Sequence, residues 1–256
     1  MADPVPIAHA YWATGPLAGE IRAERLRPPA AGEALVRTLA SAISRGTETL
    51  VARGAVPVSE QERMRCPFQG GAFPFPVKYG YCAVGVVEAG PVELSGRVVF
   101  CLHPHQTRFV VPVAALTLVP ERVPPERAVL AANLETALNA LWDAAALPGE
   151  RIVVIGAGVV GCLVARLAGQ LPGAEVTLVD IDPEKAAIAG ALGVGFAAPE
   201  QAPDEADLVV EASGSGTALA TALALAGFEA TVLALGWYGT ERPALALGEA
   251  FHSRRL

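Results

Sequence analysis

The stretch RIVVIGAGVVG at 151–161 constrains the fold more than any other part of this sequence. RIVVI (151–155) is a continuous apolar run, the pattern of a parallel strand buried on both faces. Gly156-Ala157-Gly158-Val159-Val160-Gly161 follows at once, a G-x-G-x-x-G. The spacing predicts a helix over Val159 to Gln170 and a second strand over Glu175 to Val179. That strand closes on Asp180, nineteen residues beyond Gly161. A glycine string alone says little in a chain with 26 glycines. A strand before it, a helix after it and an acid at the end of the next strand make it a dinucleotide-binding βαβ unit.

Each position has a physical task in such a unit. Gly156 allows the tight turn, Gly158 lets backbone approach a pyrophosphate, and Gly161 lets helix and strand pack closely. The first helical turn, at Val159 and Val160, presents N–H groups and a positive dipole end to the phosphates. Asp180 accepts hydrogen bonds from the adenosine ribose and repels a 2′-phosphate, so NAD is the expected cofactor rather than NADP. No arginine reverses this, because Ile181, Asp182 and Pro183 come next. The plain alternative is a glycine-rich turn with no ligand.

The same rhythm continues to the carboxyl end. A helix is expected over Pro183 to Leu192, with Asp182 as N-cap and Pro183 in the first turn. Strands are expected at Asp207 to Glu211 and Thr231 to Leu235, with a helix at Thr217 to Ala226 between them. The first half differs. Val36 to Ile43, Cys82 to Glu88, Arg97 to Leu102 and Thr107 to Val113 are short apolar runs punctuated by Gly and Pro, which suits a small irregular barrel. Gln61 to Pro76 reads as a loop, and Pro125 to Ala146 as helix. The expected division is residues 1–125 as one domain and 126–256 as the second, an α/β chain overall.

Composition narrows the function classes. The net charge is −7 and no Lys/Arg run exists, which argues against nucleic acid as a partner. The apolar stretches Ile152 to Ala165 and Ala212 to Phe228 fall short of a membrane span. The opening MADPVPIAHAYW has no basic n-region, so no leader is expected and the cytoplasm is the expected location. Cys66, Cys82, Cys101 and Cys162 contain no C-x-x-C spacing, which suggests free thiols.

Taken in order, SRGTE (44–48), YGYCAVGVVEAG (79–90), GRVVF (96–100), LETALNALWDAA, LPGER (147–151), the glycine motif, VDIDPEK (179–185) and VVEASGS (209–215) resemble the medium-chain dehydrogenase/reductase family, which includes zinc alcohol dehydrogenases. The resemblance implies a GroES-like β-barrel catalytic domain, then a Rossmann domain, with a cleft between them. It also implies positions for a catalytic zinc. Arg45 (Ser44 if the alignment slips by one) stands in the place of a Cys ligand, Tyr81 in the place of a His, and Cys82 in the place of a Glu. The third ligand position matches Glu135, so one of the three positions keeps a competent ligand, and zinc needs three protein ligands. The four-Cys structural lobe is missing as well. The expectation is therefore no metal, with an unusual Cys82–His103 site as the alternative.

Without zinc, hydrogen-bond donors must polarise the substrate oxygen. The resemblance points to Thr47 and Tyr81 for this, with Arg45 tuning the local field. His103 and His105, expected at the rim of the cleft, are the acid–base candidates. Lys185 matches a lysine that reaches the adenosine ribose, while Ser213 and Gly214 match backbone that passes the cofactor. Glu211 ends the same strand. Each has a plain alternative: Thr47 caps a turn, Tyr81 fills space, the histidines are loop residues held by Pro104, and Glu211 is an ordinary strand-end acid. The family normally continues with a sixth Rossmann strand and a returning segment. This sequence stops at HSRRL, which implies either truncation or a minimal version, and an open sheet edge at which a homodimer is one outcome. The functional expectation is NAD(H)-dependent hydride transfer to or from a small alcohol, carbonyl or activated alkene. The alternatives are a dinucleotide-binding protein without catalysis and an unstable fragment.

Overall fold

The computed structural model describes residues 6–256; the leader expectation for MADPV falls outside them. In chain order the elements are β1 (Ile7–Gly15), β2 (Ala18–Arg25), β3 (Glu33–Ser41), α1 (Arg45–Arg53), β4 (Gly70–Gly71), β5 (Val77–Lys78), β6 (Ala83–Ala89), β7 (Val98–Cys101), β8 (Arg108–Pro112), β9 (Thr117–Leu118), α2 (Pro125–Ala128), α3 (Ala131–Asp143), β10 (Arg151–Ile155), α4 (Val159–Ala168), β11 (Glu175–Val179), α5 (Lys185–Leu192), β12 (Gly195–Ala197), β13 (Ala206–Glu211), α6 (Gly216–Leu225), β14 (Ala226–Ala234) and α7 (Ala250–Ser253). The chain divides into two compact units, one up to Ala132 and one from Asn133 onward. Among the described residues no helix is long and apolar enough to cross a membrane.

The first unit is all β apart from short helices. One sheet has the order β2-β1-β5-β4 and the other β8-β3-β6-β7-β9, with antiparallel pairing throughout. An isolated bridge between Ala10 and Gln106 joins β1 to the approach to β8. The core of the larger sheet holds Ala34, Val36, Ala83, Val87, Val99, Cys101, Phe109 and Val111. These alternate along their strands, as one-sided burial of a pleated sheet requires.

The second unit is a five-stranded parallel sheet of order β12-β11-β10-β13-β14. β10 shows why its residues Ile152 to Ile155 are all apolar. Ile152 and Val154 pack into a core with α3, α4 and α5 residues, while Val153 and Ile155 pack into a second core with Ala222 of α6. Both faces are covered, so no position is free to be polar. Ala137 and Ala140 of α3 belong to the first of these cores.

Several expectations need correction. The β1–β2 hairpin and α1 were not read from the sequence, nor were β12 and α7. The single helix over Pro125 to Ala146 is two: α2 begins with Pro125 at its first position and stops at Ala128, and α3 starts at Ala131. α5 starts at Lys185 rather than Pro183, although Asp182 Oδ1 still accepts the Glu184 N–H at 3.0 Å, capping the turn that leads in. β14 starts at Ala226, five residues earlier than expected, because a register shift opposite Ala206 and Leu208 lets it pair from there.

Candidate functional site

In the parallel sheet, strand order reverses between β10 and β13, and the loops after these two strands meet there. Such a switch point at the carboxyl ends of the strands is where open α/β sheets bind ligands. Gly156 has φ +102°, and a Cβ on it would lie 2.8 Å from Ser213 N. A Cβ on Gly161 would lie 1.9 Å from Gly156 O, so any side chain there collides with backbone. Gly158 differs. It caps α4 without a side-chain hydrogen bond, and a Cβ on it would meet nothing within 4 Å. The turn is thus built close around Gly156 and Gly161 and open at Gly158, in front of the first turn of α4 at Val159 and Val160. That cradle fits a pyrophosphate approached by backbone N–H groups.

Asp180 is oriented by the same turn. Its Oδ2 accepts the Ala157 N–H at 2.7 Å and its Oδ1 accepts the Asp182 N–H at 2.9 Å. Each oxygen keeps lone pairs for a further donor, such as a ribose hydroxyl. Lys185, at the start of α5, lies 3.7 Å from Asp182 Oδ2. The Cys162 thiol of α4 is pushed up by burial, pulled back by Lys185 and raised by Asp180, which places all three at one corner.

The residue that organises the opposite side of the switch point is Glu211, a carboxylate with no solvent exposure. Its Oε1 accepts from Ser213 N at 2.7 Å, Ser213 Oγ at 2.5 Å and Gly214 N at 2.9 Å; its Oε2 accepts from the Tyr238 hydroxyl at 2.5 Å. Burial, then Glu211 itself, pushes the Tyr238 phenol up. Glu211 therefore shapes the Ser213–Gly214 loop and is no ordinary strand-end acid. Tyr238 was missed because it lies 27 residues beyond Glu211, where only the fold pairs them.

In the first unit, the Tyr81 phenol is pushed up by burial, pulled back by hydrogen bonds with Ser44 and Thr47, and raised by Cys82 and Glu48. The structure thus brings Tyr81 and Thr47 into hydrogen-bonding contact. Ser44 and Glu48 complete the group. Glu48 Oε1 accepts the Ser44 N–H at 2.8 Å, fixing the start of α1.

Two expectations fail here. Arg45 is exposed at the first position of α1, and the charged side chain that acts on Tyr81 is Glu48 instead. His103 is no rim residue. It is 5% exposed, stacked on Phe109 with centroids 3.9 Å apart and on Phe68 at 5.5 Å. Its Nδ1 lies 2.9 Å from Pro104 O, and burial pushes its pKa down to about 4. The Pro that follows suggested a surface loop, but the strand ends fold it inward. His105 is the histidine in polar surroundings, between Glu48 and Ser41.

Glu135 lies in α3, exposed, and accepts from Asn139 one turn on. Cys82 is buried and its thiol is pushed up to about 12. All four cysteines are free. Among the described residues no three His, Cys, Asp or Glu side chains gather as a group that could hold a metal ion.

No family model matches the sequence. Over 144 residues the chain is 35% identical to an uncharacterized zinc-type alcohol dehydrogenase-like protein of Haemophilus influenzae, a match spanning 52% of this chain and 42% of that relative. In fold the chain is similar to solved structures of alcohol dehydrogenases and L-idonate 5-dehydrogenase. Its fold agrees over nearly its whole length. L-idonate 5-dehydrogenase from E. coli K-12 superposes with a TM-score of 0.80 at 15% identity, covering 98% of this chain and 81% of that one. The alcohol dehydrogenase (rspB) from E. coli CFT073, complexed with NADH, gives a TM-score of 0.78 at 17% identity, covering 98% and 82%. CAD from Helicobacter pylori, complexed with NADP(H), gives 0.76 at 16%, covering 96% and 80%. The barrel-plus-Rossmann architecture expected from the sequence is the one observed.

Proposed function

We propose that this chain is an NAD(H)-dependent oxidoreductase that moves hydride to or from a small alcohol, carbonyl or activated alkene without a catalytic zinc. The observation that carries the reading is the turn at Gly156–Gly161 with Asp180 bound to it through Ala157 N. The relatives are alcohol dehydrogenase-like proteins, and solved structures of this fold hold NADH or NADP(H). Residues 126–256 form the NAD-binding domain in this proposal and residues 1–125 the substrate-side domain.

The dinucleotide supplies the hydride. The protein's residues supply position and charge. Gly158, Val159 and Val160 offer backbone to the pyrophosphate, and Asp180 accepts from the ribose hydroxyls with Lys185 alongside. Ser213 and Gly214, held by Glu211, border the cofactor. Tyr81 stays a neutral phenol because burial and Glu48 both oppose its ionisation. A neutral phenol is a donor, and with Thr47 it binds the substrate oxygen where charge develops. The net charge of −7 and the free cysteines favour a cytoplasmic enzyme, and the place of β14 at the margin of its sheet favours a homodimer.

Fluorescence titration with NADH and NADPH tests the cofactor half. Loss of NADH absorbance with a panel of aldehydes, ketones, quinones and enones tests turnover. Tight NADH binding without turnover of any class would favour a binding protein that retained the dehydrogenase fold.

A further inference from the structure

Three side chains of the first unit form a hydrogen-bonded line, of which only Glu48 also bears on Tyr81. Ser41 closes β3, Glu48 lies in α1 and His105 sits between β7 and β8. His105 Nε2 is 2.7 Å from Glu48 Oε2, and His105 Nδ1 is 2.9 Å from Ser41 Oγ. A carboxylate only accepts, so the Glu48 contact places the imidazole proton on Nε2 and leaves Nδ1 as an acceptor. The Ser41 hydroxyl then donates to Nδ1.

The line is fixed from several sides. The second Glu48 oxygen is held by Ser44 N. His105 N donates to Tyr79 O at 3.3 Å, and His105 O accepts from Tyr11 N at 3.0 Å. Gly80 has φ +126°, and a Cβ on it would lie 2.9 Å from both Cδ2 and Nε2 of His105. The ring therefore occupies a slot that only glycine leaves open. Exposure is graded: Ser41 is exposed, while the His105 and Glu48 side chains are 15% and 13% exposed. Acid and base lie inward and the hydroxyl faces outward, the order a base-activated nucleophile needs.

We propose that Ser41, His105 and Glu48 form an acyl-transfer site that accepts small activated carboxylic esters. Ser41 Oγ attacks the ester carbon as its proton passes to His105 Nδ1, and the Glu48 carboxylate stabilises the imidazolium. The bond from carbon to the leaving oxygen breaks, and the imidazolium returns the proton to that oxygen. Water, deprotonated by the same imidazole, then cleaves the acyl–Ser41 ester, releasing the acid and restoring the hydroxyl.

The test uses the full chain and p-nitrophenyl acetate, with no dinucleotide present, so its outcome is independent of the oxidoreductase reading. The expected result is a burst of about one p-nitrophenol per chain, with the acetyl group on the Ser41 peptide by mass spectrometry. Ser41→Ala should abolish the burst; the hydroxyl is exposed, so an unchanged melting temperature should accompany the loss. His105→Asn and Glu48→Gln should each slow acylation about 10²-fold, the usual contribution of a positioned general base. Glu48→Gln is nearly isosteric and serves if His105→Asn lowers the melting temperature. Acetylation confined to lysines, an undiminished burst from Ser41→Ala, or unchanged Ser41 acylation in both folded His105 and Glu48 variants would overturn the proposal.

Discussion

The Ala157 N–H donates to Asp180 Oδ2 at 2.7 Å, so the acid ending one strand is tied to the glycine turn ending its neighbour. The carboxylate cannot swing aside for a 2′-phosphate without giving up that bond. NADH should therefore bind at least about tenfold more tightly than NADPH, a gap of roughly 1.4 kcal/mol. Asp180→Ser combined with Ile181→Arg should narrow or reverse it, as read by fluorescence titration with both dinucleotides. Tighter NADPH binding by the unmodified chain would refute the assignment.

The glycines of the turn should separate into two classes. Gly161→Ala drives a Cβ to within 1.9 Å of Gly156 O and should lower the melting temperature, with a loss of roughly 1–3 kcal/mol. Gly158→Ala meets no atom within 4 Å. Thermal melting should shift by no more than about 1 kcal/mol, while NADH affinity falls about tenfold or more. Equal melting shifts for the two would show that the opening at Gly158 is not a ligand cradle.

Tyr81→Phe removes the phenol that Ser44 and Thr47 engage. Once a substrate is found, steady-state kinetics should show kcat reduced about 10²-fold, with NADH affinity nearly unchanged. Full activity in this variant would move the chemistry away from Tyr81.

His103 should make the fold acid-sensitive. Burial holds its folded pKa at about 4, below the ordinary value of 6.5. As pH falls the unfolded chain takes up the proton first, so the contribution is complete above about 6.5 and is lost between there and about 4. A difference of that size corresponds to roughly 3 kcal/mol. Melting temperatures measured from pH 7 to pH 4.5 should fall steeply in the natural protein, and less steeply in His103→Phe, which keeps an aromatic ring between Phe68 and Phe109. Parallel curves would show that another group controls the acid response.

Metal analysis of protein purified without chelator should give far less than one zinc per chain, and added zinc should leave the melting temperature unchanged. The resemblance puts Arg45 and Tyr81 at two of the three ligand positions, with Glu135 at the third, and zinc needs three protein ligands. Stoichiometric zinc dependent on Cys82 and Glu135 would contradict this.

The parallel unit was legible because its signals are local. β10 and β11 lie where their apolar residues predict, because a sheet covered on both faces buries Ile152 to Ile155 in one strand and Val176, Leu178 and Val179 in the other. The β1–β2 hairpin was not legible. Its inward positions are Ala8, Ala10 and Ala13, whose small side chains give alternation little contrast, and its outward face carries His9 and Tyr11. α1 was hidden by SRGTE, which reads as a turn until Glu48 is seen to hold Ser44 N. Of the site, the glycine turn and Asp180 lie within one βαβ unit, so spacing sufficed. His103 and His105 lie two residues apart with opposite surroundings, one stacked between Phe68 and Phe109 and the other between Glu48 and Ser41. Every one of those partners is distant in sequence except Phe109, so no local pattern separates the two histidines.

β2 lies at the edge of its sheet and carries Glu20, Arg22, Glu24 and Arg25. Arg22 pairs with Glu20 at 2.7 Å and lies over the Trp12 ring, while Glu24 takes Lys78 at 2.7 Å and the Trp12 indole N–H at 2.8 Å. Another strand docking on that edge would have to desolvate this charge, which discourages self-stacking into fibres or amorphous aggregates. The hairpin is thus a guarded margin: its backbone groups remain available for pairing, yet charge and an occupied aromatic ring keep a second chain from adding to the sheet.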